Sequence, residues 1–265
     1  MSFMKRFTFM SILCLILTTS GVAQSSVGVL GDIEGNYSRF EDFVKNNETL
    51  FINQAGELEL LPGKDFVFMG DAIDHGPGGI RFTKAITELK ERYPERVKII
   101  LGNRDLNKMK IYHVLKSLDS GIYLPQEKFI YDFILQDIHG VKMNHNLTEK
   151  EILELLVDRT HPHERLKSIL KGFGAPGGFD FHKHELEILN PKMGKVSKTM
   201  VYKHYMASLG PRGRLRKMLS QGQLVAIVDG NIFTHGAISE ANHGVVPGHH
   251  KNYSNTHEWV KKLNE

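Results

Sequence analysis

The sequence predicts an α/β fold interrupted by a mainly helical insertion, and three observations carry that reading. Three short apolar runs, 27–30, 66–69 and 97–101, each lead into glycine plus a polar residue: Gly31-Asp32, Gly70-Asp71 and Gly102-Asn103. Helical spacing follows the first two. From 106 to about 221 the chain turns helix-rich and polar, then strand character returns at 224–228 and 232–234. Apolar strands alternating with helices build an open sheet, with the site at the carboxyl ends of the strands.

The elements follow in order. Tyr37, Phe40 and Val44 place a helix over 36–45. Runs 50–52 and 58–61, joined through Gln54-Ala55-Gly56, suggest a hairpin. Ile80, Ala85, Ile86 and Leu89 share one side of a helix over 78–92. Within the insertion, 149–171 and 197–221 are the longest helical candidates, and Gly172–Gly178 (GFGAPGG) is a flexible break between them. Trp259, Val260 and Leu263 mark an amphipathic tail helix over 256–264. No internal repeat is visible.

The first 23 residues differ from the rest. Lys5 and Arg6 precede an apolar stretch over 7–17, and Gly21-Val22-Ala23 supplies small residues for cleavage. This is the pattern of a secretory signal, against the alternatives of an uncleaved anchor or a buried first helix. The apolar stretch is short for a membrane span, which needs about 20 residues. The expectation is an exported protein, secreted or periplasmic, whose 24–265 portion has no stable membrane span. The leader removes two of the 34 basic residues, leaving 32 against 30 acidic. So mild a balance does not point to a specific nucleic-acid partner. The leader also removes the single cysteine, Cys14. The remainder has no disulfide support and no thiolate nucleophile, which excludes cysteine-based phosphatases and proteases.

Four strand ends carry the chemistry: GDIEGN (31–36), GDAIDHGP (70–77), GNRD (102–105) and THGA (234–237). They offer Asp32, Glu34, Asp71, Asp74, His75, Asn103, Arg104, Asp105 and His235. Each has an ordinary reading: an Asp after a strand is usually a helix cap, an Asn after glycine a turn residue. Together, carboxylates with one amide oxygen and one imidazole suit divalent Mn, Mg, Fe or Zn. Two such cations activate a water and stabilise in-line displacement at phosphorus.

In order and spacing these blocks resemble the calcineurin-like metallophosphoesterases, nearest their phosphoprotein-phosphatase branch. The resemblance covers 28–105 and 223–240 and leaves the insertion unmatched. It implies packed β-sheets, a β-sandwich flanked by helices, with a dimetal site along one edge. Asp32 and Glu34 would bind one cation, Asp71 would bridge both, and Asn103 and His235 would bind the second. Asp74 would orient the catalytic group from the GNRD block.

Three departures stand out. The family has His at the position of Glu34, so a harder, charged ligand tilts preference toward Mn or Mg. It has Arg where His75 stands and His where Arg104 stands. The expectation is that the two roles are exchanged: Arg104 clamps the phosphate, His75 donates a proton, and Asp105 completes the block. The family's distal His ligand also has no clear counterpart. Either the chain is shortened and the second cation lacks a ligand, or His249 or His250 reaches in.

His161-x-His163 and His182-x-His184 read as surface histidines rather than a second metal site, because i,i+2 pairs on a helix do not share a face. Arg212-x-Arg214-x-Arg216-Lys217 is either a solvated face or a patch for anionic partners. Sequons stand at Asn47, Asn146 and Asn252. The leading function is an exported phosphoesterase acting on phosphomonoesters, with phosphoprotein as one substrate class. The alternatives are a nucleotide or dinucleotide polyphosphate hydrolase and a catalytically weak metal-binding interaction protein.

Overall fold

A computed structural model describes residues 26–143, 145–192 and 194–265. The expected signal segment, 1–23, lies outside the described residues. Three strands, β1 (Ser26–Leu30), β4 (Lys64–Phe68) and β5 (Val97–Ile99), form a parallel sheet in the order β1-β4-β5. The predicted hairpin forms from β2 (Leu50–Ile52) and β3 (Leu58–Leu60). A second antiparallel hairpin, β6 (Val225–Val228) and β7 (Asn231–Thr234), is tied to β5 through Gln223, which bonds Ile99 and Leu101 at 2.9 Å each. The α/β class holds, with sheets that are small.

Helix α1 (Tyr37–Asn46) follows β1, and α2 (Gly79–Arg92) precedes β5. They bury an aromatic seam against the sheet: Phe82 meets Phe40 edge-on at 5.1 Å and Phe68 at 4.8 Å, all three buried. Burying each such ring stabilises the fold by about 1.5–3 kcal/mol. Val67 and Phe66 are fully enclosed, so the central strand is covered on both faces.

The insertion is helical, but its helices are shorter and more numerous than predicted. It holds α3 (Asn103–Asp119), α4 (Lys128–His139), α5 (Glu149–Leu153), α6 (Pro162–Gly172), α7 (Gly178–Leu189), α8 (Lys198–Leu209) and α9 (Arg214–Gln221). The candidate over 149–171 breaks because Pro162 starts a new helix and holds His161 in extended conformation, after a π-turn at Glu154–Asp158. The candidate over 197–221 breaks at Gly210-Pro211, and Gly213 caps α9. Helix α7 is hidden in the sequence by its His- and Glu-rich composition.

The tail helix α10 (Thr256–Leu263) packs Trp259 and Val260 with Val225, Val246 and Tyr253 in a small separate core. The Asn264 side chain bonds the backbone of Leu224 and Val225, fixing the tail to β6. No described helix is long and apolar enough to cross a membrane.

Candidate metal centre

The parallel topology brings the ends of β1, β4 and β5 to one edge, and β7 delivers His235 to the same place. Asp32, Asp71 and His235 each offer a ligand atom there, all within 4.8 Å of one another. His235 Nδ1 lies 2.8 Å from the Met69 carbonyl, which accepts its proton. In the neutral ring, its Nε2 lone pair faces Asn103 Oδ1 at 3.3 Å and Asp71 Oδ2 at 3.6 Å. Three acceptors converging without a proton between them fit a shared cation, and the set of oxygens plus one imidazole fits a divalent one.

The backbone is shaped to make this edge. The GDIEGN and GDAIDHGP loops are joined by Glu34 N–H to Asp71 O (2.8 Å), Gly35 N–H to Ala72 O (2.9 Å) and His75 N–H to Glu34 O (2.7 Å). Glu34, Asp71 and Asp74 all take left-handed conformations, with φ of 50°, 56° and 103°. Such conformations are costly for non-glycine residues and persist only where surroundings over-determine them. Gly102 is required because a Cβ there would overlap the Asp71 carboxylate.

Asp105 supplies much of that constraint. It is fully buried and accepts from the backbone amides of Asp71 (2.8 Å), Ala72 (3.1 Å) and Gly102 (2.9 Å). It therefore positions the loop from behind and does not face the open edge. Burial raises its carboxyl above the ordinary value, against the pull of those three amides. Burial raises Asp71 as well, opposed by the Arg104 amide and the His235 ring.

The remaining predicted residues fall into two groups. Glu34 does not join the three-residue cluster; its Oε1 pairs with Arg104 Nε at 2.9 Å, and the same Nε lies 3.5 Å from Asp71 Oδ2. Asp74 does not reach Arg104. It pairs instead with Lys108, both side chains buried, because α3 turns Lys108 toward the loop one turn past Arg104. Lys108 was not predicted, although a signal existed. Ile111, Leu115 and Leu118 define the buried stripe of α3, and stepping back along it reaches Lys108 and then Asp105. Two charges in an apolar stripe mark a buried brace.

The histidine expectations divide. His161 and His163 stack on each other at 5.4 Å. His182 is not a surface residue: its Nε2 lies 2.8 Å from His204 Nδ1, and its ring meets Tyr205 edge-on at 5.3 Å. His249 bonds the Tyr253 hydroxyl at 2.9 Å and is not in the metal cluster. In the basic run, Arg214 pairs with Glu88 at 2.9 Å and Lys217 pairs with Glu91, both on α2. Two of its charges hold helices together, which weakens the reading of an anion patch.

A family model described as calcineurin-like phosphoesterase matches residues 25–264. The chain is 35% identical over 82 residues to a PP2A-like serine/threonine-protein phosphatase of Candida albicans, covering 31% of this chain and 17% of that one. It is 32% identical over 174 residues to a symmetrical bis(5'-nucleosyl)-tetraphosphatase of Buchnera aphidicola, covering 64% and 53%. It is 32% identical over 88 residues to the serine/threonine-protein phosphatase 6 catalytic subunit of Drosophila melanogaster, covering 32% and 25%. The chain thus spans about half or less of each of these relatives. No solved structure matches it.

Proposed function

The chain belongs to the calcineurin-like phosphoesterase family, and from that premise we propose that it hydrolyses phosphomonoesters with divalent cations held by Asp32, Asp71, Asn103 and His235. The observation that carries this reading is the convergence of Asp32, Asp71 and His235 ligand atoms within 4.8 Å. Bound cations would supply an activated water and neutralise charge developing at phosphorus. The chain's own groups bind and orient. Arg104, anchored through Nε on Glu34, presents Nη2 of its fork to a phosphoryl oxygen. His75, exposed beside it, would donate a proton to the leaving oxygen from Nδ1 when the ring carries both protons. Mn or Mg is the preferred pair, since the donors are mainly oxygen. Export is part of the proposal, resting on the charged, apolar and small-residue pattern of 1–23.

A second reading, hydrolysis of dinucleotide polyphosphates, is favoured by the length of the Buchnera tetraphosphatase match, about twice that of either protein phosphatase. One assay series separates the two. Purified protein is given an aryl phosphate, a phosphopeptide and a bis(5'-nucleosyl) tetraphosphate, each with Mn, Mg and Zn, and bound metal is counted. Turnover of the monoesters, lost by a factor on the order of 10²–10³ in Asp71→Asn, supports the first reading. Turnover of the tetraphosphate alone supports the second. No turnover with any metal sinks both.

A further inference from the structure

We propose that the insertion completes the active site: the main-chain carbonyl of Gly174, at the end of α6, positions both His75 and Arg104. His75 Nε2 lies 3.1 Å from this oxygen and Arg104 Nη1 lies 3.4 Å from it. The three residues come from the GDAIDHGP loop, the first turn of α3 and the GFGAPGG stretch, with Gly174 99 and 70 positions beyond His75 and Arg104. A carbonyl can only accept, so it selects the His75 state that carries a proton on Nε2 and leaves Nδ1 free of that role. It also gives Arg104 a second fixed point beyond Glu34. Arg104 Nη2 is left without a protein partner among the described residues, the natural place for a phosphoryl oxygen.

The carbonyl is held firmly. Gly174 has φ +78° and sits just past α6 in a Schellman cap, with Gly174 N–H on Lys171 O (3.0 Å) and Ala175 N–H on Leu170 O (2.8 Å). Ala175 is 1% exposed and anchors the turn in the core. The turn also places the negative end of the α6 dipole beside the Arg104 guanidinium and the His75 imidazole. An exposed histidine and a long arginine are thereby fixed by a rigid cap rather than by each other. Glycine at 174 is a conformational requirement, not a spatial one: an added Cβ would meet nothing nearer than Arg104 Nη1 at 3.9 Å.

The inference rests on the phosphoesterase reading, and its test keeps the two apart. Gly174→Val disfavours the left-handed turn, while Gly174→Asn tolerates it. In Gly174→Val we expect KM for an aryl phosphate and Ki for inorganic phosphate to rise about tenfold, as loss of a charge-assisted contact predicts, with kcat changed less. Gly174→Asn should recover most of that loss. Nitrogen-15 spectra of the histidines in metal-free protein provide a readout independent of turnover. His75 should show a protonated Nε2 in the wild type and Gly174→Asn, and tautomer averaging in Gly174→Val. Unchanged His75 signals together with unchanged KM and Ki in a folded Gly174→Val protein would overturn the proposal. If the wild type hydrolyses nothing, the phosphoesterase reading fails, and the His75 signals alone decide the role of Gly174.

Discussion

The strand-end loops and the helical insertion reach order by opposite means. The loops between residues 31 and 105 are held by polar atoms: left-handed carboxylate residues, a buried aspartate taking three amide protons, and backbone bonds between loops. The insertion is held by apolar packing of ordinary helices, with Ile111, Leu115, Tyr131, Leu135, Leu166 and Tyr205 fully or almost fully buried. One region fixes carboxylates in strained places; the other encloses and steadies them. The difference teaches that removing a polar group should damage the loops far more than the helices, except where an insertion residue itself reaches into the site.

The largest stability effect should come from Lys108, where the two regions meet in a buried ion pair with Asp74. Lys108→Met leaves an unpaired carboxylate in the interior, which costs about 3–5 kcal/mol. Urea unfolding would measure it, and replacing Asp74 with Asn in the same chain, a residue that tolerates the positive φ of 103° there, should restore part of the loss. If the double variant is no more stable than the single, the brace is not a pair. A smaller effect belongs to Glu185 of α7, which is 1% exposed and accepts from the amides of Ile80 (2.7 Å) and Arg81 (3.0 Å) at the start of α2. It also pairs with the Arg81 guanidinium at 3.2 Å. Glu185→Gln keeps the shape and removes the charge, and should cost about 1–3 kcal/mol. A neutral result would mean that apolar contacts alone dock the insertion.

The same division explains what the sequence made legible. The convergence of Asp32, Asp71 and His235 could be read because each follows an apolar strand in a fixed order, and that order is local information. The partners of Glu34, Asp74 and His75 could not, since Arg104, Lys108 and Gly174 come to them through tertiary packing. Glu34 looks like a ligand in the chain, yet its carboxylate turns to the nearest guanidinium. The helix breaks at Pro162 and Pro211 were visible as residues but outweighed by the helical spacing around them. His182 was misplaced because burial of a polar helix face depends on what packs there, here His204 and Tyr205.

Near neutrality the smallest effect is a dependence on pH, and it distinguishes the insertion from the loops by sign. Burial and the neighbouring His204 push His182 down to about 3, and burial lowers His204 too, with Glu185 pulling it back. An unfolded histidine titrates near 6.5. Between those values the unfolded chain takes up a proton that the folded chain refuses. The stability linked to His182 is therefore complete above about pH 6.5 and is lost as pH falls toward 3. The slope is at most about 1.4 kcal/mol per pH unit for one such group. Around His182 stand His204, Tyr205, Glu185 and, across a cavity of about 260 Å³, Asp74. The carboxylates at the strand-end loops move in the other direction, since burial raises Asp71 and Asp105. His182→Gln can keep a hydrogen bond to His204 Nδ1 while removing the titration. Urea midpoints at pH 7, 6, 5 and 4 should fall less steeply in this variant than in the wild type. Parallel curves would place the acid sensitivity of the fold outside His182.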